Sequence, residues 1–275
     1  IGDKADDDDD DDGVSDADDA FPFDAYNSVD SDGDGVGDNW DAYPNDSSLQ
    51  SLTVQEALDR VNDPNLRNCI AKTTSGLERA DEVREIVCQT KIETLDGIEN
   101  FYRVEKVWFW DGVGGDSLRP VSALTELREF LTSGDLPSSD LSPLDHLFKL
   151  RTLSIQDISN VDSKDYEALS RLHNLDNFSP TGLSSYSMLK YYPRLKTVIF
   201  PRNRVRDHSP IGQLEFLETL YLYDNETPLE STNWLNSLTS LTFLSIHRMG
   251  LTDTGFLSFL TNLEEIDIEG NPISE

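Results

Sequence analysis

One hexapeptide returns along this chain at a nearly constant interval. It reads VREIVC at 83–88, VEKVWF at 104–109, LREFLT at 127–132 and LRTLSI at 150–155. LDNFSP at 175–180, LKTVIF at 195–200, LETLYL at 217–222, LTFLSI at 241–246 and LEEIDI at 263–268 follow. The spacing averages about 22.5 residues, the length of a repeat made from one short strand and one return arm. The fourth position is apolar in every copy and the sixth in most, so the strand period turns these side chains inward and the third, fifth and seventh outward. A unit this short cannot bury its apolar side alone. Units must stack and share one core, which makes a solenoid with a parallel sheet on its concave face.

The order L-x-x-L-x-L followed by a turn is the consensus of leucine-rich repeats. Asn203, Asn225 and Asn271 stand three residues past the last strand position, where an asparagine can hydrogen-bond turn backbone from inside the stack. LSPLDHL at 141–147 and HSPIGQL at 208–214 read as short return arms. The whole resembles the internalin-like class of bacterial surface proteins. That resemblance implies a leucine-rich repeat horseshoe over 83–275, with short 3₁₀ or helical turns on its convex side and a helical N-terminal cap over 51–82. Pro180 in a strand, Asp135 in place of a turn asparagine and the glycine-rich loop 110–118 depart from the pattern.

Within the cap, SLTVQEAL and DPNLRNCIA read as helices, with Asp63 and Pro64 marking a start. In the resembling proteins a cysteine of the cap helix and one of the first strand recur. This implies a Cys69–Cys88 disulfide, the alternative being two buried thiols. At the other end the chain stops shortly after IEGNP with no evident cap, so the last strand is expected to offer an edge for self-association. The opening IGDKADDD is read as a processed or trimmed start.

Residues 1–50 are of another kind, with 18 aspartates against one lysine. Seven aspartates in a row suggest a solvated run, but shifting the chain by 22 residues lays 8–19 on DSDGDGVGDNWD at 30–41. Asp8, Asp10, Asp12, Asp16 and Asp19 fall on Asp30, Asp32, Asp34, Asp38 and Asp41. Gly13 and Val14 fall on Gly35 and Val36. Carboxylates at loop positions 1, 3, 5, 9 and 12, glycine at 6 and a backbone carbonyl at 7 form a calcium loop, since this hard cation takes six to eight oxygens. Phe-Pro or Tyr-Pro follows each loop, which excludes the flanking helices of an EF-hand or dockerin. The motif followed by D-A-[FY]-P-x-D resembles thrombospondin type 3 repeats over residues 6–46. That resemblance implies a calcium-wrapped stalk in which Asp24 and Asp46 add ligands, with about two Ca²⁺ ions in all.

The remaining 225 residues carry about −14 of the net charge of −31. A surface this acidic disfavours nucleic acid and anionic lipid. No apolar run reaches the length of a membrane span. Weak calcium loops of this type belong outside the cell, where calcium is abundant. No nucleophile elbow, P-loop, zinc-protease or dinucleotide motif is present, and His146, His173 and His208 are expected on solvent-facing turns. An enzyme is not expected. The outward positions instead hold two aromatic sets. Trp108 and Trp110 form one; Tyr221, Tyr223, Phe243 and His247, with Arg202 and Arg248 at strand exits, form the other. Asp111, Asp157 and Asp224 share that exit position, and Ser245 shares the outward row. Aromatics and arginine carry interface energy. The expectation is a secreted or surface-displayed bacterial protein that binds another protein, or a surface glycan, through its concave face. The alternative is a structural subunit of a calcium-dependent assembly joined through its termini.

Overall fold

A computed structural model describes residues 7–8, 10, 12–22, 24, 27–39, 41, 43–47, 52–134, 136, 140–156, 169–225 and 227–273. Asp135 and Asp157 lie outside the described residues.

Two helices precede the repeats, α1 (Val54–Arg60) and α2 (Pro64–Thr73). Thr53 and Glu56 cap α1 reciprocally, satisfying amides that the first turn leaves open. Asp63 caps α2, accepting from the N–H groups of Asn65 (2.7 Å) and Leu66 (2.8 Å), with Pro64 as the first helical residue. The other oxygen of Asp63 accepts from Glu93 N–H at 2.7 Å, so the same carboxylate ties the helix to the first repeat. Leu66, Cys69 and Ile70 bury the inner face of α2, and a disulfide joins Cys69 to Cys88 with the Cα atoms 5.3 Å apart.

Among the described residues the repeats follow as nine strands: β1 (Glu85–Cys88), β2 (Lys106–Phe109), β3 (Glu129–Thr132), β4 (Thr152–Ile155), β5 (Asn177–Pro180), β6 (Thr197–Ile199), β7 (Thr219–Tyr223), β8 (Phe243–His247) and β9 (Glu265–Asp267). They form one sheet in chain order. Every neighbouring pair is parallel. The fold is thus a leucine-rich repeat solenoid, and each of the nine hexapeptides holds one strand. Register carries Ile86 onto Val107, Phe130, Leu153, Phe178, Val198, Leu220, Leu244 and Ile266. All but Ile266 are buried, so the row runs through the stack as one core. Pro180 closes β5, and its carbonyl accepts from Asn203 Nδ2 at 3.4 Å.

The return arms are 3₁₀ turns of three to five residues, such as Arg119–Ala123, Ser142–Leu144 and Ser209–Gln213. Pro120, Pro143 and Pro210 sit at their starts, where a fixed φ and a missing donor cost least. So short an arm is what a repeat of this length allows.

The strand exits are stitched differently in the two halves. Toward the C-terminus Asn203 is fully buried and accepts from Leu183 N–H at 2.7 Å. Asn225 accepts from Asn203 N–H at 2.6 Å, and Asn271 from Met249 N–H at 2.9 Å. Each asparagine reaches back to the preceding turn, as expected. Arg202 and Asp224 precede two of them at φ of 54°, and Gly270 precedes the third at 74°. Nearer the N-terminus, glycine does the work. A Cβ on Gly134 would lie 2.7 Å from the backbone nitrogen of Gly112, so two turns meet at a distance no side chain allows.

The residues just before the strands form a flank of charges. Arg84 and Arg128 face Glu105, and Arg151 and Lys196 face Asp176 and Glu218. These exposed pairs contribute little stability each, but they give this flank its polar character.

Candidate functional site

The two acidic loops share one hydrogen-bond scheme. Gly13 N–H donates to Asp8 Oδ2 (3.0 Å), as Gly35 N–H does to Asp30 Oδ2 (2.9 Å). Val14 N–H donates to Asp12 Oδ1 (2.7 Å), as Val36 N–H does to Asp34 Oδ1 (2.8 Å). Each loop closes by a backbone bond of 2.9 Å, from Asp16 to Asp7 and from Asp38 to Val29. Past the loops, Phe21 N–H meets Asp19 Oδ1 and Tyr43 N–H meets Asp41 Oδ1, both at 2.7 Å. Gly13 and Gly35 lie at φ of 95° and 90°, the left-handed backbone that position six requires. Two stretches of quite different composition thus reach one geometry.

Their carboxylates converge. Oxygens of Asp8, Asp10 and Asp12 lie within 4.8 Å of one another, and so do those of Asp30, Asp32 and Asp34. Asp10, Asp19, Asp32 and Asp41 each give Oδ1 to a backbone N–H and bury Oδ2 without a hydrogen-bond partner; Asp8 likewise buries Oδ1. Burial pushes the Asp10 carboxyl up to about 6, and the charges of Asp12, Asp19 and Asp8 add to the shift. Burial also raises Asp19 and Asp41, again with neighbouring aspartates adding. Buried carboxylate oxygens crowded together and unsatisfied fit a hard cation that would neutralise them. Asp38 is engaged otherwise, since its two oxygens accept from Ser31 N–H (2.8 Å) and Ser31 Oγ (2.6 Å). Asp24 is buried and accepts from Asn27 Nδ2 at 2.8 Å, while Asp46 is exposed.

On the concave face, register aligns Val87, Trp108, Leu131, Ser154 and Ser179, and then Ile199, Tyr221, Ser245 and Asp267. Trp108 and Trp110 stack with centroids 4.4 Å apart and planes 19° from parallel. Trp110 is 46% exposed, and the Lys106 ammonium lies 5.8 Å from the Trp108 ring. Five strands away Tyr221 packs on Phe243 at 4.7 Å and meets Tyr223 edge to face at 6.5 Å. Neutral Ser154, Gln156, Ser179 and Thr181 lie between the two sets.

Ser245, His146 and His208 are buried where the sequence leads one to expect exposure. Arg202 and Arg248 occupy left-handed exit turns, and a Cβ on Gly270 would meet Arg248 Cγ at 2.7 Å. Arg248 thus runs along the next turn; among the described residues the cation–π contacts belong to Arg103, Lys106 and Lys190. Ser245 is buried despite its outward register, a small side chain between Tyr221 and Asp267, with its hydroxyl donating to Asp267 Oδ2 at 3.4 Å. His146 and His208 are buried rather than solvent-facing, whereas His173 is exposed. His208 stacks on Trp234 and holds Arg206 O through Nδ1 at 3.1 Å, and burial pushes its pKa down. Aligning the return arms would have shown this, because His208 falls on the buried Leu118, Leu141 and Tyr186.

No protein-family model matches the chain. A serine–tRNA ligase of Methanosphaera stadtmanae is 29% identical over 203 residues, covering 70% of this chain and 43% of its own. This chain therefore spans less than half the length of that curated relative. Among solved structures, an internalin (inlF) of Listeria monocytogenes str. 4b F2365 superposes with a TM-score of 0.64 at 23% identity. The match covers 80% of this chain and 66% of that one. Internalin C2 (inlC2) of the same strain gives 0.60 at 22% identity, over 80% of this chain and all of its own. These likenesses carry the leucine-rich repeat fold.

Proposed function

We propose that this chain is a non-enzymatic binding protein, secreted or displayed at a bacterial surface, whose concave face recognises another protein. The observation that carries this reading is the pair of partly exposed aromatic sets at β2 and β7–β8. At about 4.8 Å per strand they stand roughly 24 Å apart, the reach of a protein interface rather than of one or two sugars. The internalin fold favours such a role by analogy alone. Among the described residues no helix is long and apolar enough to cross a membrane.

The acidic segment takes about two calcium ions, one per loop, in the same reading. Asp8, Asp10, Asp12 and Asp19 would hold the first, and Asp30, Asp32, Asp34 and Asp41 the second, with the carbonyls of Val14 and Val36 as further donors. The chemistry supplied is charge neutralisation, which lets the loops keep their closed shape.

Partner capture followed by sequencing, run in parallel with Trp110→Ala, Tyr221→Ala and convex-side Phe259→Ala, tests the surface. Loss of one defined partner with the concave variants alone supports it. Loss with Phe259→Ala alone places the interface elsewhere. Calorimetry with calcium chloride should show two sites of weak, extracellular-type affinity. A single site would leave the aspartate run a solvated tail, and none would remove the calcium reading.

A further inference from the structure

The second loop does not stand apart from the solenoid. Asp34 and Val36 form one wall of a cleft of about 320 Å³ whose opposite wall is Arg84, Tyr102, Arg103 and Glu126. Those four belong to the turns that lead into β1, β2 and β3. Val36 is only 8% exposed, between Gly35 and Gly37 in a mostly polar loop. Just past the loop, Tyr43 packs against the hydrophobic core that the cap and the repeats share. The segment therefore runs back along the strand-entry flank of the first three repeats.

We propose that this flank is a docking surface for the chain's own acidic segment, and that calcium in the loops holds the segment there as a clasp. The proposal rests on the calcium reading above. Arg84 and Arg103 draw a carboxylate-rich loop toward this wall, an attraction partly offset by Glu105 and Glu126 beside them. Charge sets proximity but not shape. Val36 reaches the cleft from a closed loop, in which Asp30 accepts from Gly33 N–H at 2.7 Å and Gly35 N–H at 2.9 Å. Without an ion, the buried oxygens of Asp32 and Asp41 have no hydrogen-bond partner, and repulsion among the converging carboxylates of Asp30, Asp32 and Asp34 favours opening. Opening withdraws Val36 from the wall. Ion binding and docking are then linked, each strengthening the other by the same factor.

Hydrogen exchange on the whole chain, with calcium chloride or with chelator, tests this beside calorimetry on the same samples. Calcium should raise the protection of amides in 100–106 and 122–128 by tenfold or more, and Asp32→Asn should abolish most of the rise. If calorimetry shows calcium bound while these peptides exchange equally in both buffers, the clasp is overturned and the calcium sites stand. If no calcium binds, both readings fail. If protection is already high in chelator, the flank is held without the ion and the linkage is wrong.

Discussion

The solenoid and the acidic segment both repeat at about 22 residues, but opposite forces hold their repeats. In the solenoid each unit adds a strand and buries one more apolar side chain in the row from Ile86 to Leu244. Stability is shared between neighbours, so the stack tolerates Pro180 in a strand and glycine in place of a turn asparagine. In the acidic segment, short bonds from carboxylate to amide shape each loop while like charges oppose it. The first kind of repeat needs a neighbour, and the second, as proposed above, an ion. The flank cleft is where the two kinds meet.

The largest break in that contrast is a cavity in the core. Phe130→Ala should cost about 3–5 kcal/mol in solenoid stability, read as a fall in the melting temperature. Asp32→Asn, melted in chelator, should stay within about 0.5 kcal/mol of the parent; a loss like that of Phe130→Ala would mean the segment belongs to the core. Next comes Cys88→Ala, which frees the cap from β1 and should cost about 3 kcal/mol by loop entropy. Thiol titration of denatured, unreduced protein should find no free thiol.

Smaller effects sharpen the comparison. Asp41→Asn should weaken one calcium site by about tenfold, roughly 1.4 kcal/mol, and leave melting in chelator unmoved. Acidification should weaken the solenoid through His208. Its folded pKa lies below the ordinary 6.5, so the unfolded chain binds the proton better. Its contribution is whole above pH 6.5 and is lost as pH falls below that value. Comparing melting at pH 7.5 and 5.5 in the parent and in His208→Phe should show a shallower decline in the variant. His146 has the opposite sign: burial pushes its pKa down, but Asp145 and Asp24 outweigh burial and raise it. Smallest of all, Tyr223→Ala should change stability by under about 1 kcal/mol yet weaken partner binding by roughly 1–3 kcal/mol. A large drop in melting temperature would make the ring structural.

Much of this molecule is determined by sequence alone, for a physical reason. Strand period and repeat length are local, so the nine hexapeptides, their inward row and the turn asparagines follow from spacing. The two loops follow likewise, because the 22-residue copy puts aspartate and glycine at the same positions of both. Tertiary structure decided what depends on neighbours from other repeats. It buried His208 against Trp234 and Tyr186 and hid Ser245 between Tyr221 and Asp267. It turned Arg248 along the next turn and engaged Asp38 with Ser31. Above all, it laid Val36 and Asp34 against Tyr102 and Arg103, residues about 66 positions away along the chain. No spacing rule reaches that far, because which surface a charged loop rests on is chosen by shape and field across the folded stack.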